Sequence, residues 1–364
     1  MPQTSLKTAA IATALAFASV TSAHYSLVDD YTKEKFFPGF DFFTGPDPTS
    51  GFVQYQSLEQ SIANQYIGYL NDSVYLGVDY TNKTPQGRPS VRVEGKKAYN
   101  QGLLIVDVLH MPDSTCGSWP ALWMFGPNWP ASGEADLLEG ANDQSNNIMT
   151  LHTSAGCAVD NASTPLSGGG NVNNNEASFL GNMNTKNCDV NATDQAKNVG
   201  CSIEAPSSIP PPVSQRMRRY GNENAHSDSL PSYGTDFNQA GGGVYAMEWT
   251  NKFIAIYFFS HATNETMPKD LLSGNPNPSG WGTPLARFAG NGCDFTKRFK
   301  DMKIVINLTF CGEWAGKVWT TGGCAAKTKT ATCEAYVENN PDAFSEAYWE
   351  IASLKWFEDK DGGQ

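Results

Sequence analysis

The chain has 364 residues, with 37 Asp and Glu against 25 Lys and Arg and a formal net charge of −12. That balance lacks the basic footprint a nucleic-acid binder needs, and an anionic membrane surface would repel it. Aromatic residues at 12% exclude a disordered chain, because so much apolar surface must be buried.

Only 17% of residues are charged, so the surface is polar through amides and hydroxyls more than through ions. Met1 to Ala23 reads as a secretory signal: Lys7 is its charge, Ala9 to Val20 its apolar run, and Thr21-Ser22-Ala23 a small-residue cleavage site. The run is too short to span a bilayer. The hydrophilic last residues, Asp359 to Gln364, carry no lipid-anchor signal. A secreted, extracellular protein with no membrane partner is expected. No Pro/Thr/Ser linker divides the remainder, so residues 24–364 read as a single domain.

Strands come next. Val91–Tyr99 and Leu103–His110 are rich in β-branched residues or alternate. Val244–Trp249 and Phe253–Ser260 follow, joined by a short turn through Thr250-Asn251-Lys252. Lys303–Phe310 and Tyr348–Phe357 complete the set. Long helical periods are missing, so the pattern predicts an all-β chain of antiparallel sheets, as a sandwich or barrel.

Residues 158–243 break the pattern. They are rich in Asn, Gly, Ser and Pro, which makes a long loop for a compact domain. Cys188 and Cys201 are predicted to staple it. Within 205–231, an atypical insertion, Ile209–Leu230 carries three Pro and then Arg216, Arg218 and Arg219. The stretch reads as a solvated insertion; its abrupt change of composition also fits a retained intron, which the transcript would reveal.

The chemistry concentrates in Gly133-Glu134-Ala135-Asp136-Leu137-Leu138-Glu139-Gly140. In a strand, Glu134 and Asp136 share a face. Glu139 falls on the other face unless one extra residue, a β-bulge near Leu137-Leu138, restores it. The outer Cα atoms then lie about 13 Å apart, and two long side chains leaning together bring the carboxyls to about 5 Å, the spacing of a retaining glycosidase. Three carboxylates this close share at least one proton over part of the pH range. Asp136 is placed to orient Glu134, and Glu139 must be protonated to donate to a leaving oxygen. A solvated acidic strand or a metal site is the plain alternative. The EF-hand pattern is missing, so a structural calcium is not indicated.

Upstream, Cys116 to Pro130 carries Trp119, Trp123 and Trp129. Aromatic planes suit the C–H faces of pyranoses. Trp119 reads as core packing and Trp129 as a loop residue beside the active face. Eight Cys in a secreted chain argue for disulfides, whose pairing the spacing leaves open. No pair has C-x-x-C spacing and the five His are scattered, so no zinc site is expected. Sequons stand at Asn71, Asn82, Asn161, Asn191, Asn264 and Asn307; the last lies in an apolar run and reads as buried or functional.

The Trp-rich run, the E-A-D-L-L-E motif, Met149-Thr150-Leu151-His152-Thr153, Tyr245 to Thr250 and Cys311 to Gly316 occur in the order found in one family. Over about residues 26 to 358 the chain resembles the fungal secreted endo-1,3(4)-β-glucanases (laminarinases) of glycoside hydrolase family 16. The resemblance implies a β-jelly-roll sandwich of the concanavalin A-like type, two antiparallel sheets with a concave substrate cleft. It implies retaining hydrolysis of internal β-1,3 and mixed 1,3/1,4 linkages, with Glu134 as nucleophile, Asp136 as its assisting carboxylate and Glu139 as acid/base. His152 matches a position near the reaction centre. Trp123, Trp129 and Trp281, the last within Gly280-Trp281-Gly282, match sugar platforms; Trp249 lines the cleft or only the core. The implied partner is a β-glucan, the implied state a monomer, and no cofactor is required. A cell-wall transglycosylase would use the same carboxylates. A non-catalytic glucan-binding protein would be expected to have lost the glutamates.

Overall fold

A computed structural model of the chain describes residues 25–160, 179–208 and 230–360. The expected signal segment, Asn161 and nearly all of the 209–230 stretch lie outside the described residues.

Two eight-stranded antiparallel sheets stack face to face. The first runs, edge to edge, through Ala286–Ala289, Phe253–Ser260, Gly243–Trp249, Gly102–His110, Trp349–Asp359, Ser73–Leu76 and Ile67–Leu70, with Tyr25–Asp30 paired to Trp349–Asp359. The second runs through Asn182–Met183, Cys201–Glu204, Ile148–His152, Glu134–Glu139, Ser118–Phe125, Lys303–Phe310, Arg92–Gly95 and Phe40–Phe42. The six sequence-predicted runs all hold strands. Val91–Tyr99 is shorter than predicted: its ladder ends at Gly95, and Tyr99 makes one isolated bridge to Met302.

Strand alternation builds the layers. In the first sheet Leu104, Val106 and Val108 face the second sheet. Their neighbours Leu103 and Ile105 join Val244, Ala246, Tyr257 and Phe357 in a separate cluster on the outer face. This sheet is therefore buried on both sides, and its strands read as nearly continuous apolar runs. In the second sheet Leu122, Met124, Ala135, Leu137, Met149, Leu151, Ile304 and Ile306 point into the core. The alternate residues of that sheet leave a polar and aromatic free face, which carries Glu134, Asp136 and Glu139.

Four disulfides use all eight cysteines: Cys116–Cys324, Cys157–Cys293, Cys188–Cys201 and Cys311–Cys333. Cys188–Cys201 is the expected staple. Cys116 precedes the Ser118–Phe125 strand and Cys311 follows Lys303–Phe310, so two of the four tie the segment after Phe310 to the second sheet. Asn71, Asn82 and Asn191 are exposed, whereas Asn307 is buried. Among the described residues no helix is long and apolar enough to cross a membrane.

Candidate active site

Glu134–Glu139 is an interior strand of the second sheet. On one side Glu134, Ala135 and Asp136 pair with His152, Leu151 and Thr150. On the other, Glu134, Ala135 and Asp136 pair with Phe125, Met124 and Trp123, but Leu138 and Glu139 pair with Leu122 and Ala121. The register shifts between Asp136 and Leu138, so Leu137 is the extra residue of a β-bulge. Leu137 and Leu138 are both fully buried in the core. Their burial turns Glu139 back to the face carrying Glu134 and Asp136. Glycines close both ends of the strand. Gly133 has φ +82°, and a Cβ there would come within 2.5 Å of Phe299. A Cβ at Gly140 would come within 2.6 Å of the Tyr233 ring.

Burial and mutual repulsion set the electrostatics. Burial pushes the Glu134 carboxyl up, the negative charge of Glu139 adds to the shift, and a hydrogen bond from the Trp129 side chain and the charge of Arg92 oppose it. Asp136, only 3% exposed, is raised well above the usual carboxylate range by burial, then by Glu139 and Glu134. Burial raises Glu139 too, against a hydrogen bond donated by Trp119. The cluster therefore keeps protons at pH values where free carboxylates would have lost them. His152 Nε2 lies 3.6 Å from Glu134 Oε1 and 3.5 Å from Asp136 Oδ2. Burial lowers the His152 pKa to about 4, so its imidazole is neutral near pH 5 and above.

The structure thus gathers Glu134, Asp136, Glu139, His152 and Trp123 on one face, with Trp129 at its margin. Trp123 donates from Nε1 to Asn307 Oδ1 at 2.7 Å, and the Arg92 guanidinium sits over its ring at 5.1 Å. Trp129 is 46% exposed in the turn before Gly133. One expected platform, Trp281, and one of the two alternatives for Trp249, the cleft, are not borne out by the geometry. Trp249 is fully buried between the sheets, because its strand belongs to the first sheet and its side chain points inward. Trp281 packs edge-on against Tyr257 and Phe259 on the outer face of the first sheet and donates from Nε1 to Asp270 Oδ2 at 3.2 Å. Trp281 comes from a turn packed under the outer face of the first sheet, so neither tryptophan lies on the face that carries the carboxylates.

Trp119 is corrected in the opposite direction. It lies on the free face, donates from Nε1 to Glu139 Oε1 at 2.8 Å, and meets Trp314 edge-to-face at 5.5 Å. The signal was present: Trp119 and Trp123 are four apart in one strand, so alternation puts them on the same face. Trp314 lies in the Cys311 to Gly316 stretch of the resemblance, but its contact with Trp119 and the Asn307–Tyr55 hydrogen bond at 3.3 Å were reachable only through the three-dimensional structure.

The profile of the XgeA-like, catalytic GH16 domain matches residues 40–210 and 213–357. The chain belongs to glycoside hydrolase family 16. The endo-1,3(4)-β-glucanase of Arthroderma benhamiae is 40% identical over 344 residues, which are 94% of this chain and 67% of that protein. A probable endo-1,3(4)-β-glucanase of Aspergillus fumigatus is 38% identical over 364 residues, 97% of this chain and 48% of its own. The chain thus spans about half the length of that second relative. Among solved structures, laminarinase 16A of Phanerochaete chrysosporium, with β-glucans in donor and acceptor sites, has a TM-score of 0.76 at 37% identity, covering 92% of this chain and 100% of that one. An elongating family 16 β-1,3-glucosyltransferase has a TM-score of 0.75 at 37% identity, covering 92% and 99%.

Proposed function

We propose that this chain is a retaining endo-β-glucanase that cleaves internal β-1,3 linkages, and mixed 1,3/1,4 linkages, of β-glucans such as laminarin. The observation that carries the reading is the bulge at Leu137, which aims two glutamates from one strand at the same space. In this scheme the Glu134 carboxylate attacks the anomeric carbon while Glu139, protonated, donates to the departing glycosidic oxygen. Water, deprotonated by Glu139, then attacks the glycosyl-enzyme and releases a sugar of unchanged anomeric configuration. Asp136 orients Glu134, with neutral His152 beside both. Trp119 holds Glu139 in a fixed rotamer by its hydrogen bond, and Trp123 and Trp129 offer aromatic planes to the glucan. No cofactor enters this scheme. We read residues 24–364 as one catalytic domain, since the Cys116–Cys324 and Cys157–Cys293 bonds span most of it. Four disulfides support an oxidising, extracellular location, and a monomer is expected.

The test separates the two glutamates. Glu134→Gln is expected to abolish turnover while leaving the fold intact. Glu139→Ala is expected to lose laminarin hydrolysis but to recover on substrates with good leaving groups, with azide giving a β-glycosyl azide. An active Glu134→Gln enzyme, or no recovery of either kind in Glu139→Ala, removes the assignment.

A second reading is favoured by the glucosyltransferase similarity. The same glycosyl-enzyme can pass its sugar to a glucan hydroxyl instead of to water. Product analysis with laminarin and a labelled acceptor oligosaccharide decides: label in longer chains supports transfer, and reducing sugar alone supports hydrolysis.

A further inference from the structure

A β-bulge leaves backbone groups without ladder partners, and inside a sheet each such group is expensive to leave unpaired. The ladder between Glu134–Glu139 and Ile148–His152 ends at the Asp136–Thr150 pair. Leu137 and Glu139, one residue either side of Leu138, need partners on that flank. Both are supplied by one side chain. Asn147 Oδ1 accepts from the Glu139 N–H at 2.9 Å, and Asn147 Nδ2 donates to the Leu137 carbonyl at 2.6 Å.

Asn147 is fully buried and is itself held. Its N–H donates to Ser232 Oγ at 3.2 Å, and its carbonyl accepts from Ala205 N–H at 2.8 Å. The Tyr245 hydroxyl donates to the Ser232 carbonyl, which anchors Ser232 to the first sheet. The amide thus acts as a short substitute strand. One end grips the extra residue of the bulge, and the other grips the backbone from which Glu139 projects.

We propose that Asn147 is a positioning residue that locks the bulge and so aims Glu139 at the glycosidic oxygen. The inference rests on the acid/base reading of Glu139. Without the clamp, Leu137–Glu139 can relax toward a regular register, and the Glu139 carboxyl moves off the leaving oxygen. Glu134 and Asp136 keep their own ladder pairs on both sides, so the nucleophile stays aimed. The consequence is selective. Proton donation suffers while nucleophilic attack does not, and leaving groups that need no proton escape the penalty.

The experiment compares kcat/KM, which reports the first chemical step, on laminarin and on 2,4-dinitrophenyl β-laminaribioside. Asn147→Ala removes both hydrogen bonds. Asn147→Asp keeps the shape and the acceptor to Glu139 N–H but loses the donor to Leu137. Both are expected to lose roughly 10- to 100-fold on laminarin, as for a reacting group misplaced by about an ångström, and to stay within about threefold of wild type on the dinitrophenyl substrate. Equal losses on both substrates, or no loss on laminarin, would overturn the proposal. If neither variant folds, amide exchange in the wild-type enzyme decides: the Glu139 N–H must be protected as well as the ladder amides of Ala135, and fast exchange refutes the clamp. Glu139→Ala, run in parallel, identifies which idea fails. If it shows no leaving-group selectivity, the acid role is wrong and the clamp falls with it. If it shows selectivity and the Asn147 variants do not, the clamp alone is wrong.

Discussion

Asp136 and His152 are buried and Glu134 and Glu139 half-buried, and burial acts on the carboxyls and the imidazole in opposite directions. Burial first, then the repulsion between Glu134 and Glu139, pushes the carboxyls of the cluster above the usual carboxylate range. Above that usual range the folded cluster shares a proton that the unfolded chain has released, so stability falls as pH rises until the cluster ionises. His152 has the opposite sign. Burial lowers its pKa from 6.5 to about 4, so the native state resists a proton the unfolded chain accepts, and stability is lost as pH falls through that range. Glu134→Gln takes one carboxyl out of the cluster, which lessens the first effect and keeps the second. The Tm of Glu134→Gln minus that of wild type is therefore expected to grow from pH 4.5 to pH 8. A difference that stays flat across that range would show that Glu134 does not carry the strain assigned to it. At this scale the carboxylates were legible as a group, since E-x-D-x-x-E brings three of them into six residues, and the family resemblance favoured catalysis over a solvated acidic strand or a metal site. The tryptophans were not. Trp119, Trp249 and Trp281 are the same side chain, and only the face each occupies separates a partner of Glu139 from two packing residues.

Within the acid strand, alternation and its interruption carry the meaning. The sequence predicts that Glu139 needs one extra residue to rejoin Glu134, and the ladder places that residue at Leu137. The alternative packing is costly, because a regular strand would expose a leucine on the polar face and turn a carboxylate into the core beside Leu122 and Met124. Deleting Leu137 removes the extra residue: Leu138 then takes the inward place, and Glu139 keeps the face of Glu134, still four strand steps away. The deletion is expected to retain the fold and measurable glucanase activity, read by thermal unfolding and reducing-sugar release. A folded variant with no activity would mean that the face Glu139 occupies is not what the bulge supplies. Other elements were less legible. The Gly312–Gly316 turn that carries Trp314 has no periodic signal, since a single tight turn is too short to show one.

Across the whole molecule, the disulfides join what the sheets leave apart. Cys311–Cys333 closes a loop of 22 residues that holds Trp314 against Trp119. Closing a loop of that size is worth roughly 3 kcal/mol through the unfolded chain. Replacing both cysteines by Ser is expected to lower the Tm and raise KM for laminarin, because the edge-to-face contact that supports Trp119 loosens. An unchanged KM would separate the bond from the site.

The sequence by itself determined the fold class, the six principal strands, the three carboxylates, the need for a bulge and the Cys188–Cys201 staple. Each of these is a local pattern, a two-residue period, a spacing or a short separation along the chain. The tertiary structure alone decided which tryptophans meet the carboxylates, that Asn147 completes the bulge, and how the other six cysteines pair. Those contacts join residues from separate strands and loops. Their partners are chosen by sheet order and by which face is buried, and neither is encoded in a window of neighbouring residues.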